Sequence, residues 1–236
     1  TILTLALQIF TTYERYAKYL KWLALVLLSY VFSALTVNIN WNEVFQKTLL
    51  PTIIFSKDQI FLITGILGTT ISPYLFFWQT SQEVEEQILG GKTTLKLRQE
   101  ETSTKEVRNM RMDVWSGMFL SNLVMFFIIA AAAATLGSIG ITNITSAEQA
   151  AEALRPIAGE RVYLLFALGI IGTGMLAVPI LAGSASYALS ESFGWKFGLY
   201  RRLREANAFY GVIIIATGIG LVINLLGFDS IKVLIY

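Results

Sequence analysis

The 236-residue chain contains no cysteine and no histidine, and charged residues make up only 14% of it. Without cysteine there is no disulfide framework, no thiolate metal site and no thiol nucleophile. Without histidine the commonest proton shuttle, general base and transition-metal ligand is missing. Soluble domains carry about 25% charged residues, so the shortage of charge argues against a water-soluble globule. The formal net charge of +2 is too small, and its basic residues too dispersed among loops, for nucleic-acid binding. What the chain has instead is apolar sequence: 55% hydrophobic residues and a mean hydropathy of +0.61.

The apolar residues fall in runs long enough to cross a hydrocarbon core about 30 Å thick. Five spans are expected, at about 18–37, 60–82, 114–137, 162–189 and 208–226. The runs lack the two-residue alternation of barrel strands, and a helix satisfies its own backbone in lipid. The fold class expected is therefore all-α and polytopic. Residues 1–236 form one transmembrane domain in this reading, with partial helices at both ends, because the chain opens inside ILTLALQIF and stops inside IKVLIY. It reads as an internal piece of a longer protein. Thirteen of the 18 lysines and arginines fall on one side of the five spans. The positive-inside rule makes that side cytoplasmic, with loops 83–111 and 194–205 facing the cytoplasm of a cell whose plasma membrane holds the protein.

Loop 83–111 is polar and of mixed charge, and reads as solvated. The segment Ser146-Ala147-Glu148-Gln149 has the form of a capping box, opening a short surface helix that ends before Arg155-Pro156. The second run is the unusual one. Its centre is Gly68-Thr69-Thr70-Ile71-Ser72-Pro73. Proline removes a backbone donor, and the glycine and hydroxyls crowd the same turn. That composition admits two readings: an unwound stretch whose carbonyls face a cavity, as in transporters with discontinuous helices, or a proline kink repaired by neighbouring hydroxyls. The fourth run repeats the theme more weakly with Gly172-Thr173-Gly174 and Pro179, while Gly183-Ser184-Ala185-Ser186 suits close helix packing. No Asp, Glu, Lys or Arg lies at the middle of a run, so no intramembrane charge relay is visible. Glu83, Glu85 and Glu86, near the cytoplasmic end of the second run, read as solvated interfacial charges.

The stretch from Gly68 to Ser81 (GTTISPYLFFWQTS), followed by QEVEE, resembles transmembrane helix 6 of the Nramp (natural resistance-associated macrophage protein) divalent-metal transporters. It is most similar to the Nramp-related magnesium transporter branch. The order of spans fits the end of helix 4 through the start of helix 10. The resemblance implies a leucine-transporter-like fold of two inverted five-helix repeats, in which helices 1 and 6 break at the membrane midplane and share the metal site. The helix 1 ligands are not in this sequence. For helix 6 the resemblance implies Thr69, through its carbonyl, and Ser72 as metal-site residues, with Gly68, Thr70, Pro73, Tyr74 and Gln79 in cavity or gating roles. Ser72 stands where the family pattern has Met, and Tyr74 and Gln79 stand where it has His. A thioether favours softer transition metals, whereas a hydroxyl or the space it leaves suits a hard, hydrated ion.

The leading functional expectation is accordingly transport of a divalent cation, magnesium with tolerance for manganese, as substrate and without a resident cofactor. The partners are the ion and the bilayer, not nucleic acid. Two alternatives remain open: proton-coupled manganese or iron uptake as in ordinary Nramp proteins, and a sodium-coupled organic-solute carrier on the same fold. An enzyme is not expected, since no nucleophile–base constellation is visible.

Overall fold

A computed structural model gives the architecture. It describes the chain except residues 1, 12, 53–54, 71–72, 138–139, 141–143, 145 and 227–236; the side chains of 13–14, 69–70, 73–75, 153 and 157–158 are likewise outside the description. Among the described residues there is no strand. The helices in chain order are α1 (Ile2–Phe10), α2 (Tyr13–Ala24), α3 (Leu28–Thr36), α4 (Trp41–Leu49), α5 (Lys57–Thr70), α6 (Pro73–Leu89), α7 (Leu95–Glu101), α8 (Thr104–Thr135), α9 (Ala147–Ala158), α10 (Glu160–Ser192) and α11 (Asn207–Leu225).

Among the described residues, four stretches are long and apolar enough to cross a membrane: Arg15–Thr36, in which a 3-10 turn at Leu25–Leu27 joins α2 to α3, then α8, α10 and α11. The second expected span falls on α5 and α6, described over 14 and 17 residues, with residues 71–72 between them outside the described residues. At 1.5 Å per residue, α8 and α10 are each about 50 Å long, and so extend well past a 30 Å core.

The centre of the bundle is α10, which packs against α1, α2, α3, α6, α9 and α11. Between apolar helices in lipid the hydrophobic effect offers little preference for association, so close packing and hydrogen bonds must supply it. The glycines of α10 provide the first. A Cβ at Gly169 would lie 2.6 Å from the Tyr30 ring of α3, and one at Gly183 would lie 2.3 Å from the Trp78 ring of α6. Gln8 of α1 provides the second: 2% exposed, it donates from Nε2 to the Pro179 carbonyl at 3.2 Å. Ser186 likewise donates to the Phe209 carbonyl of α11 at 2.5 Å. Despite Gly172, Gly174 and Pro179, α10 is one continuous helix. Gly169, Gly172 and Gly183 serve contact, and the weaker echo of a broken helix is not realised.

Two further sequence expectations are corrected. Residues 83–111 are largely helical: α6 runs on to Leu89, α7 follows, and α8 begins at Thr104 behind a reciprocal capping box of Ser103 and Glu106. That Ser-x-x-Glu signature was hidden among the charges around it. The surface helix α9 does open at Ser146, whose side chain accepts the Gln149 N–H at 3.1 Å. However, it continues through Pro156 to Ala158 rather than ending before Arg155-Pro156. A proline in the last turn forfeits only one backbone bond, and the helix stops where Gly159 adopts φ +85°.

Candidate functional site

The break expected in the second run falls on residues outside the described ones. Helix α5 is described as far as Thr70 and α6 from Pro73, and residues 71–72 between them lie outside the described residues. Of the seven residues picked from sequence, Gly68 and Gln79 are described fully. Both are exposed, one on each helix, and a Cβ at Gly68 would meet nothing within 4 Å. The side chains of Thr69, Thr70, Pro73 and Tyr74, and the whole of Ser72, lie outside the described residues.

The far half of α6 is better defined. Trp78 is buried, Gln82 half-buried and Glu85 only 2% exposed. These positions share one face at i, i+4 and i+7, turned toward α10. Glu85 is therefore not the solvated interfacial charge expected from sequence. Its Oε1 accepts hydrogen bonds from the Tyr187 hydroxyl of α10 and from the Leu199 N–H, the latter at 2.5 Å, in the α10–α11 connection. The Leu199 N–H also reaches the Tyr187 hydroxyl at 3.2 Å. Oε2 is buried with no hydrogen-bond partner among the described residues. Burial pushes the carboxyl up to about 7, against the Tyr187 hydroxyl and the Leu199 and Tyr200 amides, which favour the ionised form. The connection can approach this closely because Gly198 has φ +122° and no Cβ; one there would lie 2.4 Å from the Tyr200 ring and 3.2 Å from Glu85 Oε1.

Two cavities flank this half-helix. One, of about 660 Å³, is bounded by Glu85, Arg98, Glu191, Lys196 and Arg201 among others, and thus brings segments 93–98 and 195–201 to the same end of the bundle. The other, of about 450 Å³, is lined by Glu83, Glu86, Glu106, Asp113 and Lys92, with Lys92 paired to Glu106 at 2.8 Å. Among the described residues no group of three or more acidic side chains is arranged to hold a metal ion.

The profile described as natural resistance-associated macrophage protein-like matches residues 1–236. The chain belongs to the Nramp family. This Nramp chain is 25% identical over 199 residues to the divalent metal cation transporter MntH of Aeromonas hydrophila, covering 82% of the chain and 46% of that relative. It is 27% identical over 171 residues to the MntH of Vibrio campbellii, covering 72% and 37%. With the MntH of Yersinia pestis it shares 28% identity over 128 residues, 53% of the chain and 28% of the relative. The chain spans less than half the length of these curated relatives. No solved structure matches it. With its helical bundle and four membrane-length stretches, it is an all-α, polytopic membrane segment of the Nramp fold.

Sequence reasoning missed Glu85 among the residues that organise this region. The available signal was its spacing from Trp78: seven residues, two helical turns, place a carboxylate and a large aromatic on one face.

Proposed function

We propose that the protein containing this chain moves divalent metal cations across a membrane, with magnesium as its preferred substrate and manganese tolerated. The observation carrying the reading is the match of the Nramp profile over the full length of the chain, whose second run carries the Gly68–Pro73 cluster at the junction of α5 and α6. Helix ends meeting inside a membrane offer carbonyls to a cation without a fixed charge. In this reading the Thr69 carbonyl and Ser72 contribute polar atoms, and helix 1 of the longer protein supplies the remaining ligands. Loops 83–111 and 194–205 face the cytoplasm, as their basic residues favour. The protein is a carrier, not an enzyme. The choice of magnesium rests on Ser72: a hydroxyl leaves room for a hydrated hard ion where a thioether would bind a softer one.

The test is Ser72→Met in the full-length protein, assayed for magnesium, manganese and cadmium flux in proteoliposomes. Magnesium transport should fall and the manganese-to-magnesium ratio rise by about tenfold, the change that ~1.4 kcal/mol of differential affinity produces. Ser72→Ala should be mild if space is what the residue provides. An unchanged ion preference in Ser72→Met would remove the argument for magnesium and leave the divalent metal cation of the relatives' names.

A further inference from the structure

We infer that Glu85 is a protonation-sensitive positioning residue, whose carboxyl pins the half-helix α6 to the α10–α11 connection and whose ionisation releases that pin. The flux part of the inference rests on the transport reading above; the pin itself does not. Three separate pieces of chain converge on this one side chain. Helix α6 supplies Glu85, α10 supplies the Tyr187 hydroxyl, and the connection supplies the Leu199 N–H. Gly198 is shaped to allow the approach, and Trp78, on the same face of α6, packs edge-on against the Tyr187 ring at 6.2 Å between centroids. In the transport reading α6 leads back to the Gly68–Pro73 cluster, so a device that holds its far half also sets where that cluster sits beside the proposed cation site.

The surroundings decide the sign. From α10, Tyr187 and Glu191 face the carboxyl's cavity; Lys196, Tyr200 and Arg201 face it from the connection, and Arg98 from α7. Tyr210 of α11 also feels its charge. Yet among the described residues no lysine or arginine pairs with Glu85, and Oε2 has no donor. An ionised Glu85 would be a buried charge with only Oε1 compensated. Desolvation dominates, so the pinned state holds a proton up to about pH 7. A released carboxyl in water ionises near its ordinary value of 4.5. The pin is thus fully stable below about 4.5, weakens as pH rises toward 7, and loses nothing further above it.

Hydrogen exchange of amides 196–201, corrected for intrinsic rate, tests the pin in the full-length protein in nanodiscs. In the native protein their opening equilibrium should rise by on the order of a hundredfold between pH 5 and 7 and then level off. Glu85→Gln keeps the acceptor but cannot ionise, so these amides should stay protected and lose most of that dependence. Glu85→Ala should leave them unprotected throughout. Matching pH profiles for the native protein and Glu85→Gln would overturn the protonation step, and native protection in Glu85→Ala would overturn the pin. In proteoliposomes, Glu85→Gln should slow cation flux above pH 7 several-fold at unchanged KM and flatten its dependence on pH at the Lys196–Arg201 side. A flux profile the same as the native one would show that the pin does not govern α6. A native protein that moves no divalent cation would sink the transport reading instead, leaving the pin to be decided by the exchange data.

Discussion

The distance between α6 and α10 is set by the absence of a methyl group. Gly183 lets the Trp78 ring lie where any β-carbon would be 2.3 Å from it, and in lipid such close packing is a main source of helix association. Gly183→Ala should therefore destabilise the bundle by about 1–3 kcal/mol through overpacking, read as a lower thermal midpoint in detergent. Gly174, on the same helix, has open space at its Cβ. There alanine should instead be neutral or stabilise by about 0.5–1 kcal/mol, through the backbone freedom glycine loses in a helix. Opposite signs for two glycine substitutions on one helix would separate contact from propensity. At this scale the sequence was only partly legible. The small residues of α10 announced packing, but nothing in QEVEE by itself distinguishes a buried glutamate from its two neighbours. That distinction depends on which face α10 occupies, a tertiary fact that composition does not carry.

Helices were legible where one rule dominated. Long apolar runs at 114–137, 162–189 and 208–226 lie within α8, α10 and α11 or close to their ends, because only a self-satisfied backbone is tolerated in hydrocarbon. Where rules competed, reading by eye failed. The charges of 83–111 hid the capping box that starts α8, and Pro156 suggested an end that Gly159 actually supplies. Ser146 is the case where a local signal and the fold agree, so its removal has a simple expectation. Ser146→Ala should cost about 1 kcal/mol at the N-terminus of α9. Hydrogen exchange of amides 148–150 should quicken roughly fivefold, while those of α11 stay unchanged. Equal exchange in both proteins would mean that α9 is held by its packing on α10 alone.

The two ends of the molecule differ in kind. Helix α9 precedes Glu160 at one end of α10, whereas segments 93–98 and 195–201 share a cavity at the other. That arrangement fixes which parts lie together, and the charge bias is the ground for proposing that the second end faces the cytoplasm. This chain offers no native thiol, so single cysteines introduced in place of Lys96, Arg202 and Gln149 into a cysteine-free full-length background should report the sides directly. The first two should react with a membrane-impermeant reagent only from the cytoplasmic side, and the third only from outside. Modification of Lys96→Cys in intact cells would reverse the orientation.

The place of α10 in the chain has a consequence for how the protein is made. Its contacts reach back to residues emerging long before it, as with Gln8 and Pro179, 171 positions apart. Chains leave the ribosome N-terminus first, and contacts between distant residues must await the later partner. Until the segment from Glu160 onward has been inserted, Tyr30 and Trp78 have no glycine to rest against, and Glu85 has neither Tyr187 nor Leu199 to bury it. A nascent chain stalled before that point holds an exposed carboxylate at the margin of the bilayer, where water can still keep it charged. Delivery of α10 and the connection after it is what withdraws the carboxyl from water, so the burial that raises its affinity for a proton begins only then.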